Sequence, residues 1–215
     1  MTVLAVLISG NGTNCQALIK AVEAGRLSAR IAVVISNNWD APGLQWARDA
    51  GIDTVVIDHR ESGGREAFER KLITCLMSFE VDYVVLAGFM RKFSSLFVDF
   101  FSNRIINIHP SLLPKYRGLN THRRVLLAGD REHGCTVHFV NNELDAGAVI
   151  AAAKLEVAEG ESEETLKQRV HALEYELYWR ALELICEESV LFKDNKLFFG
   201  DSEVPETGLL LPLGF

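Results

Sequence analysis

The chain has 215 residues, 48% hydrophobic and 24% charged, enough to bury a sizeable core in one large globular domain. Its formal net charge is −7 and no basic run exceeds a pair, which excludes the positive stripe a long nucleic-acid backbone demands but not a small phosphorylated ligand. Four widely spaced cysteines without a CxxC pair read as reduced thiols of a cytoplasmic protein. The opening apolar run, lacking a positive flank, reads as a strand and not as a signal peptide or membrane span.

Apolar runs of strand length alternate with segments of helical period. Val3–Ile8 is the first strand, followed by a helix with Cys15, Leu18, Ile19 and Val22 on one face. Ile31–Ile35 is the second strand. Pro42 and Gly43 precede a helical stretch through Trp46 to Gly51, and Thr54–Ile57 is the third strand. Arg65–Phe79 reads as a helix with Phe68, Leu72, Cys75 and Phe79 as its stripe; Tyr83–Ala87 is a doubly buried strand, Ser94–Phe101 a short helix and Ile105–His109 a fifth strand. Such alternation predicts an α/β domain, a mostly parallel sheet with helices on both faces.

After residue 110 the pattern changes. Pro110–Asn120 reads as an ordered loop, and Thr136–Val140 with Ala148–Leu155 as an antiparallel hairpin in the C-terminal half. Glu163 to about Glu188 is a long helix with Leu166, Val170, Leu173 and Leu177 inward. Asn195-Lys196 and Gly200-Asp201 are turn signals around a short strand, Leu197–Phe199.

The stretch Ser9-Gly10-Asn11-Gly12-Thr13-Asn14 joins the first strand to the first helix. It lacks the third glycine of a dinucleotide fingerprint, Cys15 standing there, and the Gly-Lys-Ser/Thr of a P-loop. What remains is a glycine turn feeding a helix N-terminus, which suits a single phosphate; a tight turn with Thr13 or Asn14 as N-cap reads equally well.

Asn107 and His109 lie two apart at the C-terminal end of a strand, so their side chains point the same way where open α/β sheets place ligands. An amide and an imidazole there can surround an oxyanion, and the histidine can move a proton. Asp145, in the link between the two late strands, is either a solvated turn residue or a carboxylate that pairs with His109 and favours its imidazolium. His133, Cys135 and His138 do not make a metal site: His133-Gly134 is read as preceding the strand, Cys135 and His138 face oppositely, and no pair has zinc-site spacing. Glu174, beside the apolar stripe of the long helix, reads first as a boundary residue that either snorkels out or meets a polar partner.

Together these residues resemble the glycinamide ribonucleotide formyltransferase family. The stretches that carry the resemblance are Val6–Asn14, Val85–Arg91, Asn107–Tyr116, His133–Val140 and Glu143–Gly147, in family order over about the first 190 residues. The Asn-x-His with a distant Asp is shared with other formyl-transferring enzymes, whereas SGNGTN and LAGFMR narrow the match. The resemblance implies a Rossmann-like formyltransferase fold over residues 1–190, with 191–215 a C-terminal extension packed on or near it.

It further implies transfer of a formyl group from 10-formyltetrahydrofolate, without a metal, to the amine of glycinamide ribonucleotide. Carried over by position, Asn107, His109 and Asp145 are the catalytic trio. Gly12, Thr13 and Asn14 hold the phosphate, and His171, Ala172, Leu173 and Glu174 form a substrate-binding segment. Arg65, Met90, Arg91, Lys92, Phe93 and Asn107, with Asn141, Asn142, Glu143, Leu144 and Asp145, lie along the folate. The expected partners are these small molecules, with no nucleic acid and no membrane, for a monomer or homodimer.

The chain departs from the family pattern at Arg117 and Asn120, where proline and histidine are common, at Trp179, and in its apolar tail Leu209–Phe215, which either packs on the body or mediates self-association. Formylation of initiator tRNA shares the chemistry but belongs to longer enzymes that bind RNA, and hydrolysis of formyltetrahydrofolate to proteins with an added N-terminal regulatory domain. A catalytically silent binding protein is disfavoured by the intact trio. A nicotinamide oxidoreductase is disfavoured by the missing glycine and by Ser36-Asn37-Asn38, which has no acidic residue after the second strand.

Overall fold

Mostly apolar strands followed by amphipathic helices fold here as parallel β-α units. The computed structural model describes residues 1–193 and 196–213. The chain divides into two units, residues 1–107 and 108–215.

The first unit contains β1 (Thr2–Ile8), α1 (Thr13–Glu23), β2 (Ala29–Ser36), α2 (Leu44–Asp49), β3 (Asp53–Val56), α3 (Arg65–Ser78), β4 (Tyr83–Leu86) and α4 (Ser95–Phe100), and ends within β5 (Ile105–His109). Its strands are all parallel, in the order β5-β4-β1-β2-β3. β1 lies at the centre, and Leu4 to Ile8 are wholly buried in succession, as a parallel strand covered on both faces requires. The loops after β1, β2 and β4 leave the C-terminal edge of this sheet, the edge where such folds bind ligands.

On α3 the inward face is Phe68, Glu69, Leu72 and Leu76, not the expected stripe through Cys75 and Phe79, which are half-buried. The face turns because it includes a carboxylate: Glu69 is completely buried and has partners waiting inside.

The second unit contains α5 (Thr121–Ala128), β6 (Glu132–Phe139), β7 (Val149–Glu156), α6 (Glu163–Cys186), β8 (Val190–Lys193), β9 (Lys196–Phe199), β10 (Ser202–Glu203) and β11 (Leu209–Leu210). β6 and β7 form the expected antiparallel pair, and α6 packs on both. Ser162 caps α6 by accepting the Thr165 N–H at 3.1 Å, and Leu166, Val170, Leu173 and Leu177 face inward. β6 begins at Glu132, so His133 and Gly134 lie on the strand instead of preceding it. Glu174 is likewise buried, not at a boundary.

The apolar tail joins this unit as β11, Leu209 and Leu210 pairing in parallel with Ala151 and Ala152 of β7. Strands β8, β9 and β10 make a separate antiparallel sheet. Asn195 of the expected turn, and Gly214 and Phe215 of the tail, lie outside the described residues. No helix among the described residues is long and apolar enough to cross a membrane.

Candidate active site

In the first unit, Gly12 stands at the N-cap of α1 with φ +64°, and neither Thr13 nor Asn14 takes the capping role. This turn is pressed against the segment before α2. The Gly43 N–H donates to the Gly10 carbonyl at 3.0 Å, and a Cβ on Gly43 would lie 2.8 Å from both the Gly10 oxygen and the Gly12 Cα. The Trp46 indole N–H donates to the Asn11 carbonyl at 3.2 Å. The Gly10 and Asn11 carbonyls are thus engaged by Gly43 and by Trp46 of α2, and the start of α1, an eleven-residue helix, follows directly with Thr13 exposed.

The segment after β4 carries Met90, Arg91, Lys92 and Phe93. The Met90 N–H donates to the Ser9 hydroxyl at 2.9 Å, and that hydroxyl donates to Asn37 Oδ1 at 2.6 Å. Phe93 stacks on Phe89 and Phe97 with centroids 5.3 and 4.0 Å away, and the Arg91 guanidinium lies 5.6 Å from the centre of the Phe68 ring. Met90 stays largely exposed. Arg65, the first residue of α3, has its Nε 3.4 Å from Glu69 Oε1. Asn107, the last residue of this unit, lies opposite Leu86 of β4.

In the second unit the structure brings His109 and Asp145 together. His109 Nδ1 is 3.5 Å from Asp145 Oδ2, an ion-pair separation longer than a short hydrogen bond. The other ring nitrogen, Nε2, is 3.0 Å from the Tyr116 carbonyl, so both nitrogens of this buried imidazole face oxygen acceptors. Asp145 Oδ2 also accepts the Gly118 N–H at 2.8 Å, and Oδ1 lies 3.9 Å from His138 Nε2. Burial lowers the His138 pKa to about 4 despite the nearby Phe139 carbonyl and Asp145, so this ring stands neutral beside the carboxylate.

Local structure explains how Asp145 is held. It adopts φ +48° in the turn between β6 and β7. Asn141 shapes that turn, its Oδ1 accepting the Glu143 N–H at 3.0 Å and its Nδ2 donating to the Ala146 carbonyl at 3.2 Å. Gly147 closes it where any Cβ would collide with the Phe139 carbonyl. Asn142, Glu143 and Leu144 are exposed around the carboxylate.

The 110–120 loop is anchored from several sides. Thr136 Oγ1 of β6 donates to the Ser111 carbonyl at 2.7 Å and accepts the Leu113 N–H at 3.1 Å. Lys115 and the Tyr116 hydroxyl both donate to Asp130, at 2.9 and 2.8 Å, and Arg124 donates to the Arg117 carbonyl at 2.7 Å.

On α6, Leu173 and Glu174 are buried, whereas His171 and Ala172 are half-buried. Burial lowers the His171 pKa, and the Cys135 thiol is raised well above its ordinary value, first by burial and then by the charge of Glu174. No thiolate nucleophile is favoured at Cys135.

Sequence reasoning missed His138, the Tyr116 carbonyl and the Gly118 N–H as companions of the His109–Asp145 pair. His138 precedes Phe139 on a strand, and nothing in its neighbours announces a carboxylate seven residues on. Backbone groups carry no residue-type signal at all. Among the described residues, no group of three or more His, Cys, Asp or Glu side chains could hold a metal ion.

A strand-end histidine paired with a turn carboxylate can hold or move a proton at the imidazole. The family model described as formyl transferase matches residues 2–182, and the chain belongs to that family. It is 43% identical to phosphoribosylglycinamide formyltransferase of Escherichia coli over 205 residues, covering 95% of this chain and 97% of that protein. It is 46% identical over 187 residues to the trifunctional purine biosynthetic protein adenosine-3 of Gallus gallus, covering 87% of this chain but 19% of that one. Among solved structures, the phosphoribosylglycinamide formyltransferase of Coxiella burnetii superposes with a TM-score of 0.94 at 45% identity, covering 98% of this chain and 99% of that one.

Proposed function

We propose that this protein transfers the formyl group of 10-formyltetrahydrofolate to the amine of 5′-phosphoribosylglycinamide, giving formylglycinamide ribonucleotide and tetrahydrofolate in de novo purine biosynthesis. The observation that carries this reading is the buried His109–Asp145 pair, 3.5 Å apart, on a chain of the formyl transferase family. Its relatives over nearly the full chain bear the name of that activity.

The amine attacks the formyl carbon directly, so negative charge develops on the formyl oxygen. The Asn107 amide and the His109 imidazole are the donors for that oxygen, and one such preorganised donor is worth roughly 3–4 kcal/mol. Asp145 holds the ring in orientation from Nδ1 and supports its charged form as the amine proton departs toward the folate nitrogen, through His109 or water. The Tyr116 carbonyl now accepting from Nε2 must yield that nitrogen to the reacting groups, a small rearrangement of one loop contact.

The remaining assignments follow from the same reading. Gly12, Thr13 and Asn14 take the phosphate at the start of α1, where helix N-terminal N–H groups and the helix dipole favour an anion. His171 to Glu174 contact the ribonucleotide, with the buried Glu174 carboxylate suited to ribose hydroxyls. Arg65, Met90 to Phe93 and Asn141 to Asp145 line the folate. Residues 1–190 form the formyltransferase domain and 191–215 its C-terminal extension, in a cytoplasmic enzyme acting on small molecules.

The test is the absorbance change as 10-formyltetrahydrofolate loses its formyl group, with and without the ribonucleotide. Loss only when the ribonucleotide is present is expected. Equal loss in its absence means hydrolysis, and no loss in either case removes the assignment.

A further inference from the structure

The mechanism leaves a buried carboxylate of the first unit unused. Glu69 of α3 is completely buried, and a charge or polar group in that position is costly unless donors meet it. Donors do meet it. Oε1 accepts the Ser94 N–H at 2.7 Å, Oε2 accepts the Ser94 hydroxyl, and Arg65 Nε lies 3.4 Å from Oε1.

Ser94 stands at the N-cap of α4, where a serine hydroxyl ordinarily accepts an N–H of the first helical turn. Here it makes no such cap and turns to Glu69 instead. The segment from Gly88 to Ser94 is therefore fixed at both ends, by Ser9 at the Met90 N–H and by Glu69 at Ser94. Phe89 and Phe93 stack on each other within the segment, and Arg91 lies over Phe68, the neighbour of Glu69 on α3. For stability alone, apolar side chains in place of the whole Glu69–Ser94 pair would serve this buried site as well or better. A carboxylate adds defined geometry at two places at once, the end of the Met90–Phe93 segment and the Arg65 guanidinium.

We infer that Glu69 is a positioning residue for the formyl donor: its buried carboxylate sets the Met90–Phe93 segment and aims Arg65. The inference rests on the proposed reading that these residues line the reduced folate. Glu69 acts through Ser94 and Arg65 and does not itself touch substrate.

Steady-state kinetics on the full chain test this with Glu69→Ala, Glu69→Gln, Ser94→Ala and, as a control buried on the same helix, Leu76→Ala. Glu69→Ala is expected to raise KM for 10-formyltetrahydrofolate about tenfold and to move KM for the ribonucleotide less than about twofold. Glu69→Gln, which keeps the size and one acceptor, recovers most of that loss, and Ser94→Ala raises the donor KM by about threefold. Leu76→Ala lowers Tm without raising the donor KM. An unchanged donor KM in Glu69→Ala, or an equal rise in Leu76→Ala, overturns the inference. If Glu69→Ala does not fold, an unmoved donor KM in both Glu69→Gln and Ser94→Ala overturns it. A wild-type protein that transfers no formyl group removes the functional reading and the inference with it, whereas an active wild type with an unmoved donor KM in the variants removes the inference alone.

Discussion

His122 Nδ1 lies 3.0 Å from His133 Nε2, and both rings are buried. One of the two nitrogens must offer a lone pair, so the contact cannot survive with both rings fully protonated. The pKa of each is lowered to about 4. Burial is the larger cause for both, followed for His122 by the charges of His171 and Lys167 and for His133 by those of His122 and His109.

The sign of the stability change follows. In the unfolded chain both rings titrate near their ordinary value of 6.5, whereas in the folded protein they stay neutral down to about 4. Between those values the unfolded state binds more protons, so stability is complete above pH 6.5 and is lost progressively as pH falls toward 4. His138, lowered in the same way, adds to the trend. Thermal unfolding between about pH 7.5 and about pH 5 is expected to show Tm falling by several degrees, and a constant Tm across that range contradicts the prediction.

Gly43 bears on the Gly10–Gly12 turn without belonging to it. Its Cα side faces the Gly10 oxygen and the Gly12 backbone so closely that a methyl group forces the turn to shift. Gly43→Ala is expected to raise KM for the ribonucleotide about tenfold and to leave KM for the folate nearly unchanged. A rise shared equally by both substrates would count against the assignment of the 12–14 turn to the phosphate.

The four cysteines divide by environment. Burial pushes the Cys15 thiol up to about 12 and Cys135 well above its ordinary value, whereas Cys75 and Cys186 are half-buried. A disulfide reagent added to the native protein is expected to titrate Cys75 and Cys186 and to reach Cys15 and Cys135 only after denaturation. Rapid reaction of all four under native conditions contradicts this.

The strands of the first unit were legible because each carries a short run of mostly apolar residues, and β5 was read with its observed bounds, Ile105–His109. Helix α5, Thr121–Ala128, was not read at all. Its inward face is Thr121, His122 and Val125, so a polar buried face hides the helical period, and Asn120 begins it in a left-handed conformation without a side-chain cap. Cys75 was placed inside α3 because an apolar stripe is the default, whereas the real face includes Glu69, whose partner Ser94 lies 25 residues further along. Strands β10 and β11 are two residues each, below the length at which alternation can be detected. At the site, residue types and the strand end pointed to His109 and Asp145, but their pairing depends on a turn whose shape is set by Asn141 and Gly147.

The central claim is that Asp145 serves the reaction through His109, and the most direct measurement is kcat for Asp145→Asn beside its separately measured ligand dissociation constants. Asparagine preserves the shape and can still accept the Gly118 N–H, but it removes the charge 3.5 Å from the imidazole. The account predicts that kcat falls by roughly a hundredfold or more while both dissociation constants stay within about threefold. Equal losses in turnover and in binding would contradict it, and would make Asp145 a structural element of the 110–120 loop.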